Sequence, residues 1–125
     1  MQKNKIPKVL IIAGSDSGGG AGIQADIKAV TYFKGYAMTA ITAVTSQNTK
    51  GVQAIFPLPI DHVESQINSV LEDLNPNIIK TGMLADIGLI EMIASRVGKY
   101  KLVIDPVMVA TSGDILVPEG CISAI

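Results

Sequence analysis

Four short segments of the sequence carry residue types that could do chemistry, and the first of them is rich in glycine. Residues 13–26 read AGSDSGGGAGIQAD and place five glycines within nine residues, ahead of Asp26. Glycine lets the backbone turn tightly and come close to a ligand, and the N–H groups that open a following helix point outward. The segment matches neither the Walker A loop nor G-x-G-x-x-G. By pattern alone it indicates a ligand-binding turn and a plain strand-to-helix turn equally well.

The other three segments are runs of polar and flexible residues. Gln47 lies in TSQNT, and Met83 lies in KTGMLA, where its thioether suits the flat face of an aromatic ring. Asp105 lies in IDPVMVATSGD, directly before a proline that holds it extended. A carboxylate there suits Mg²⁺ and phosphate oxygens. Each also has an ordinary explanation: a polar turn for Gln47, core packing for Met83, and a turn or cap for Asp105.

The hydrophobic pattern indicates which elements must position these segments. Apolar and β-branched runs predict strands at residues 9–13, 37–45, 52–56, 77–81 and 102–105. Helical patterns lie between them, so the sequence predicts an α/β fold with a largely parallel central sheet flanked by helices. The pair 37–45 and 52–56 breaks the alternation and predicts a flap or edge hairpin. Because the carboxyl ends of parallel strands meet at one edge, the four segments should converge there and form a ligand site.

The predicted helices carry specific expectations about their ends and faces. The apolar face of the first should hold Ile23, Ile27, Val30 and Phe33. Asp61, with Glu64 three residues later, has the form of a capping box for the second. Asp86 is predicted to cap the third helix, and Pro118 to stand at the first position of the last.

Composition fits one compact domain with an aliphatic core, since 48% of the 125 residues are hydrophobic and only 4% aromatic. The net charge is −1 without a basic cluster, which argues against a nucleic-acid partner. No apolar run approaches a membrane span, and the N-terminal run is too short for a signal peptide, so we expect a cytoplasmic protein. The single cysteine, Cys121, should be packing, and the single histidine, His62, should be solvated.

The end of the sequence is unusual for a domain. The chain stops at Ile125, inside the last predicted helix, which would need more sheet to cover it. We therefore expect residues 1–125 to be the N-terminal portion of a single domain, left by fragmentation or by natural truncation.

In order and spacing, the four segments resemble those of the hydroxymethylpyrimidine/phosphomethylpyrimidine kinases of thiamin biosynthesis. AGSDSGGGAGIQAD is the most specific match, followed by TAVTSQNTKGVQ, IKTGML and IDPVMVATSGD. The resemblance covers essentially the whole chain as the N-terminal half of such a kinase. It implies a ribokinase-like fold and transfer of the ATP γ-phosphoryl group, with Mg²⁺, to 4-amino-5-hydroxymethyl-2-methylpyrimidine and then to its monophosphate. It also implies a homodimer for the full-length protein.

The resemblance also implies roles for individual residues. It gives a substrate-binding set of Gly14, Asp26, Gln47, Met83 and Val107. Asp105 is implied as the catalytic and metal-binding carboxylate. The family's general base and anion hole lie in the C-terminal half, so the chain alone is expected to turn over poorly or not at all. Two alternatives stay open: a pyridoxal or pyridoxine kinase of the same fold, and a truncated, non-catalytic pyrimidine-binding remnant.

Overall fold

The computed structural model of the protein describes residues 5–125, apart from the side chain of Ile122. In that range the chain forms a sheet of five strands with helices packed on both faces. The strands are β1 (Lys8–Asp16), β2 (Tyr36–Asn48), β3 (Gly51–Pro57), β4 (Ile78–Thr81) and β5 (Lys101–Ile104). The helices are α1 (Gly22–Tyr32), α2 (Ile60–Asp73), α3 (Ile87–Val97) and a short 3-10 helix, Glu119–Ala124.

β1 lies at the centre of the sheet, whose strand order is β3-β2-β1-β4-β5. It pairs in parallel with β2 and β4, and β4 pairs in parallel with β5. β3 runs antiparallel to β2 at one edge. The predicted α/β fold, its largely parallel sheet and its edge hairpin are thus confirmed. Because the parallel strands end on the same side, the segments that follow β1, β2, β4 and β5 meet along one edge of the sheet.

The two faces of β1 bury their side chains against different helices. Leu10 and Ile12 join the larger core, which includes residues of α2 and α3. Ile11 and Ala13 point the other way and pack with Ile23 of α1. This alternation is the two-residue period of a strand. Burial of each large aliphatic side chain stabilises the fold by about 1.5–3 kcal/mol, so the two layers fix how β1 presents its C-terminal end.

Of the two predicted side-chain caps, one is confirmed and one is wrong. Asp86 caps α3, where its Oδ1 accepts a hydrogen bond of 2.9 Å from the N–H of Leu89. The capping box at Asp61 and Glu64 does not form, because α2 begins one residue earlier, behind Pro59. Asp61 then lies inside the first turn, where its charge still suits the helix dipole. The Glu64 carboxylate instead accepts a 2.8 Å hydrogen bond from Nε of Arg96 on α3.

Three other local predictions need correction. Phe33 is 78% exposed, because α1 ends at Tyr32, before the turn that would carry Phe33 over the sheet. Ile27, predicted for the same face, is 37% exposed. Pro118 precedes a 3-10 helix as its cap and does not open an α-helix.

The two isolated residues behave as their types suggest. Cys121 is 5% exposed and lies in the larger core, which confirms its packing role. His62 is exposed on α2, as expected for a solvated side chain.

The polar turn that was the ordinary explanation for Gln47 does not include it in the structure. β2 continues to Asn48, and β3 begins at Gly51, so the turn is confined to Thr49 and Lys50. Pairing with β3 extends β2, with a register shift between Ser46 and Gln47. Gln47 therefore sits on a hydrogen-bonded strand, which fixes its backbone more firmly than a loop would.

β5 forms the edge of the sheet opposite β3. Its apolar side chains are exposed on both faces, with Leu102 at 39% and both Val103 and Ile104 at 52%. In residues 5–125 no helix is both long enough and apolar enough to cross a lipid bilayer.

Candidate ligand-binding site

A cavity of about 290 Å³ opens where the carboxyl ends of the parallel strands meet. Its lining draws on all four sequence segments singled out by their residue types. It includes every residue of the predicted site: Gly14, Asp26, Gln47, Met83, Asp105 and Val107. The predicted convergence of the four segments is therefore confirmed as geometry, while the roles of the individual residues stay predictions.

The glycine-rich loop is organised around Asp16, at the end of β1. Its carboxylate accepts hydrogen bonds from the N–H groups of Gly18 (2.7 Å), Gly20 (3.0 Å) and Ala21 (2.8 Å). These three N–H groups precede the helix and are occupied by an internal carboxylate, so they are not offered to a ligand. Sequence reasoning missed this role of Asp16. The signal was available, since an Asp followed by glycines often accepts bonds from the backbone that follows it.

Two glycines of the loop lie in close packing, Gly14 against a side chain and Gly22 against backbone. A Cβ at Gly14 would lie 2.6 Å from Cε of Met83, so this glycine makes room for the methionine. Gly22 opens α1 with φ +58°, and a Cβ there would collide with the carbonyl oxygen of Gly14. Met83 is 7% exposed and its carbonyl accepts a 3.0 Å bond from the Thr42 hydroxyl. The methionine is therefore both core and cavity wall.

Gln47 is attached to the glycine-rich loop through its backbone. The Ser17 hydroxyl donates to the Gln47 carbonyl at 2.7 Å and accepts from the Gln47 N–H at 2.7 Å. The side-chain amide is less constrained. Its Oε1 lies 3.1 Å from the Thr45 hydroxyl, whose single proton is shared with the Ser15 carbonyl at 2.8 Å. The Gln47 side chain can therefore form hydrogen bonds with a ligand in the cavity.

Lys80 is a cavity residue that sequence reasoning did not single out. Its Nζ donates to Oδ2 of Asp26 at 2.7 Å and lies 3.6 Å from Oδ2 of Asp105. Two carboxylates predicted from separate segments are thus joined by one ammonium group. The available signal was a charged residue inside the otherwise uncharged strand β4, where a lysine needs a partner.

The loop after β5 forms the remaining wall of the cavity. Asp105 begins it, with its N–H bonded to the Thr81 carbonyl at 3.0 Å. The loop then doubles back through a bridge between Val109 and Ile115. Near the end of the loop, the Asp114 carboxylate accepts a 2.9 Å hydrogen bond from the N–H of Val52 on the edge hairpin. This wall is therefore fastened to the sheet at its start and to the hairpin near its end.

Asp114 also accepts a 2.6 Å hydrogen bond from the hydroxyl of Ser112. The Ser112 hydroxyl, and after it the Val52 N–H, lower the pKa of Asp114 below its ordinary value of 3.8, against a smaller opposing effect of burial. The carboxylate is therefore ionised throughout the neutral and weakly acidic range.

Asp105 is the residue of the cavity that suits a divalent cation. Its side chain is 54% exposed, and its nearest cationic partner is Lys80. In the range 5–125, apart from Ile122, no cluster of three or more His, Cys, Asp or Glu side chains could hold a metal ion by itself. Mg²⁺ in phosphoryl-transfer sites uses one or two carboxylates together with water and substrate phosphates. A single exposed Asp105 fits that donor set.

Comparison with known proteins gives one consistent family. The model of the phosphomethylpyrimidine kinase family matches residues 16–125 of this chain. The hydroxymethylpyrimidine/phosphomethylpyrimidine kinase of Bacillus subtilis is 46% identical over 123 residues, covering 96% of this chain and 45% of that protein.

Solved structures agree with the sequence matches. Phosphomethylpyrimidine kinase from Clostridium difficile superposes with a TM-score of 0.85 at 43% identity, covering 96% of this chain and 53% of that one. Pyridoxal kinase from Staphylococcus aureus, solved with AMP-PCP and pyridoxal, superposes with a TM-score of 0.76 at 35% identity. The match covers 88% of this chain and 42% of that one. The chain spans 45% of the Bacillus subtilis protein and 53% of the Clostridium difficile chain, about half of each.

Proposed function

Because the chain belongs to the phosphomethylpyrimidine kinase family, we propose that the whole protein phosphorylates 4-amino-5-hydroxymethyl-2-methylpyrimidine and then its monophosphate, using ATP. The observation that carries the proposal is that all six residues implied by the family resemblance line one cavity. An aminopyrimidine needs hydrogen-bonding groups at its edge and apolar groups on its faces. The cavity offers both.

The pyrimidine ring is proposed to lie against the glycine-rich loop. Asp26 and Gln47 supply hydrogen-bonding atoms for the ring edge, and both line the cavity. Met83 and Val107 supply apolar contact for the ring faces. Gly14 lets the backbone approach the ring, since it has no side chain between β1 and the cavity.

Asp105 is proposed to serve the phosphoryl-transfer end of the cavity. Phosphoryl transfer depends mainly on positioning and on electrostatic stabilisation of the phosphate oxygens. Asp105 is the residue that would hold Mg²⁺, which would supply positive charge to offset that of the phosphate oxygens. The backbone bond from Asp105 to Thr81 ties this carboxylate to the end of β4. The general base and the anion hole are proposed to lie in the C-terminal half of the whole protein, as the family resemblance implies.

The first test reads the coding DNA beyond codon 125 and then assays the complete gene product. We expect Mg²⁺- and ATP-dependent phosphorylation of the pyrimidine. Asp105→Asn should lower kcat about 100-fold or more and change the pyrimidine Kd by less than about threefold. Asp61→Asn, which removes an exposed charge on α2, is the matched control and should leave both values unchanged. A gene product that phosphorylates neither pyrimidine contradicts the proposal.

A second candidate is a pyridoxal kinase, which the similarity to the Staphylococcus aureus enzyme favours. Comparing kcat/KM for the pyrimidine and for pyridoxal separates the two. A stop codon directly after codon 125, with pyrimidine binding and no turnover, would instead support a non-catalytic remnant. A homodimer and a cytoplasmic location are further proposals that follow from the family resemblance. Light scattering on the complete gene product tests the first, and cell fractionation tests the second.

A further inference from the structure

Lys80 occupies a place in the sheet where an unpaired charge would be costly. It lies on β4 beside Ile79 and Thr81, both of which are buried, and pairs in register with Ile11 of β1 and Val103 of β5. Its side chain is only 19% exposed. A lysine in such a position requires a charged or hydrogen-bonding partner. The partners that it has are two carboxylates of the cavity.

Lys80 is a cationic partner of both carboxylates. Across the described part of the chain, Asp26 accepts no side-chain hydrogen bond except the one at its Oδ2 from Lys80, and Oδ1 stays free for a ligand. The Asp105 carboxylate accepts no hydrogen bond from these residues, and Lys80 lies 3.6 Å away. Asp26 comes from α1 and Asp105 from the loop after β5, so the ammonium links the two sides of the cavity.

We propose that Lys80 is a positioning residue that holds Asp26 and Asp105 as one charged unit, in which the Asp26–Lys80 pair recognises the aminopyrimidine and the net charge of all three groups sets binding of the monophosphate. The proposal rests on the proposed function. An aminopyrimidine edge presents an N–H donor beside a ring-nitrogen acceptor. The pair of Asp26 and Lys80 presents the complement, a carboxylate acceptor beside an ammonium donor.

The charge of Lys80 has a second consequence. Without it, the unit would consist of two carboxylates, which repel a phosphate group at short range. The Lys80 ammonium cancels one of the two negative charges. The lysine should therefore matter more for the phosphorylated pyrimidine than for the free alcohol. This difference distinguishes a role in recognition from a role in packing, because loss of packing would weaken both ligands equally.

The test is isothermal titration of the complete gene product with the pyrimidine and with its monophosphate. Lys80→Met should weaken pyrimidine binding about 10- to 100-fold and monophosphate binding by at least about threefold more. Lys80→Arg, which keeps the charge, should lose less than Lys80→Met. Lys99→Met removes an equal charge from an exposed position after α3 and should bind like the wild type.

A double-mutant cycle tests whether Lys80 acts through Asp26. In the Asp26→Asn background, Lys80→Met should raise the pyrimidine Kd by less than half of the factor by which it raises that Kd in the wild type. The reason is that the carboxylate positioned by Lys80 is already altered. Additive losses would overturn the coupling. Unfolding in urea checks that each variant is folded. If Lys80→Met does not fold, Lys80→Gln, which keeps an N–H donor without the charge, takes its place.

The outcomes separate this proposal from the proposed function. If the wild type binds both pyrimidines and Lys80→Met binds them equally well, Lys80 only fills the face of β4 and the inference is wrong. Equal losses for the two pyrimidines would refute recognition of the phosphate. A wild type that binds neither pyrimidine contradicts the proposed function itself, and the Lys80 proposal falls with it.

Discussion

The cavity has two walls that are built in different ways. The glycine wall, residues 14–26, is held by internal bonds: Asp16 accepts from three backbone N–H groups, and the Ser17 hydroxyl makes two bonds to Gln47. The loop wall, residues 105–116, is held by backbone hydrogen bonds within itself, by the Asp105 bond to Thr81 at its start and by the Asp114 bond to the edge hairpin. Asp105 at its start is 54% exposed.

This difference suggests that the two walls have separate roles in ring binding and in phosphoryl transfer. The glycine wall is stabilised by residues of α1, β1 and β2, so the proposed ring-binding side is preformed. The Asp105 carboxylate of the loop wall has few supporting contacts, so the proposed phosphoryl-transfer side depends more on its ligands. Ring binding and catalysis should therefore respond separately to mutation. Three predictions test the contrast, in order of decreasing effect.

The largest effect is expected at Gly22, with Gly113 of the loop wall as its comparison, since both glycines have positive φ, +58° and +93°. Gly22→Ala should lower the free energy of unfolding by about 4 kcal/mol or more, because strain adds to a collision with the Gly14 carbonyl. Gly113→Ala should cost about 1–2 kcal/mol, because nothing lies within 4 Å of its added Cβ. Urea unfolding of the complete gene product measures both. Equal losses would refute the contrast between the walls.

Asp16→Ala should have the next largest effect. Three backbone N–H groups lose their acceptor, and we expect a loss of about 2–4 kcal/mol in the free energy of unfolding. Asp61→Ala, which removes an exposed carboxylate from α2, should stay within about 0.5 kcal/mol.

The vacated N–H groups of the Asp16→Ala variant should then bind an anion. Millimolar inorganic phosphate should raise the urea midpoint of this variant and leave that of the wild type unchanged, because the wild-type carboxylate fills the same position. Equal stabilisation of both proteins by phosphate would show that these N–H groups are not the anion site.

The smallest effect is expected at Asp114, on the loop wall. Since the pKa of Asp114 is lowered by its hydrogen bonds, its contribution is complete above the ordinary value of 3.8 and is lost as the pH falls through the lower, folded-state pKa. Hydrogen-exchange protection of the Val52 amide should therefore stay constant as the pH falls to 3.8, and it should decrease only at lower pH, as the Asp114 carboxylate is protonated. Asp114→Asn, which keeps an oxygen acceptor, should remove this pH dependence.

The Leu58 amide serves as the internal reference for this measurement, because it bonds to the Thr42 carbonyl at 3.0 Å and does not involve a titrating group. Loss of protection at both amides together would indicate general unfolding. Loss of Val52 protection in neutral solution would contradict the role of the carboxylate.

The sequence was sufficient for those features that depend on local pattern. Strand order along the chain, the edge hairpin and the Asp86 cap follow from periodicity and from a single residue type. Convergence of the four segments followed from one rule about the carboxyl ends of parallel strands. The features it did not predict depend on competition between neighbours. Asp61 lost its capping role because α2 begins behind Pro59.

The contact between Lys80 and Asp26 was beyond reach for a different reason. The two residues are 54 positions apart, and their meeting depends on the register between β1 and β4 and on the way α1 crosses the sheet. Hydrophobic pattern gives neither. Asp16 was closer to prediction, since its three partners lie within five residues of it.

The exposed side chains of β5 have a consequence for handling this polypeptide. A strand at the edge of a sheet offers unpaired backbone groups, and here apolar residues also flank them on both faces. Such an edge is a template for strands of other molecules. Solutions of the isolated 125-residue chain should therefore aggregate through β5 as concentration rises. Replacing Val103 with lysine should improve solubility more than adding the same charge on the exposed face of α2.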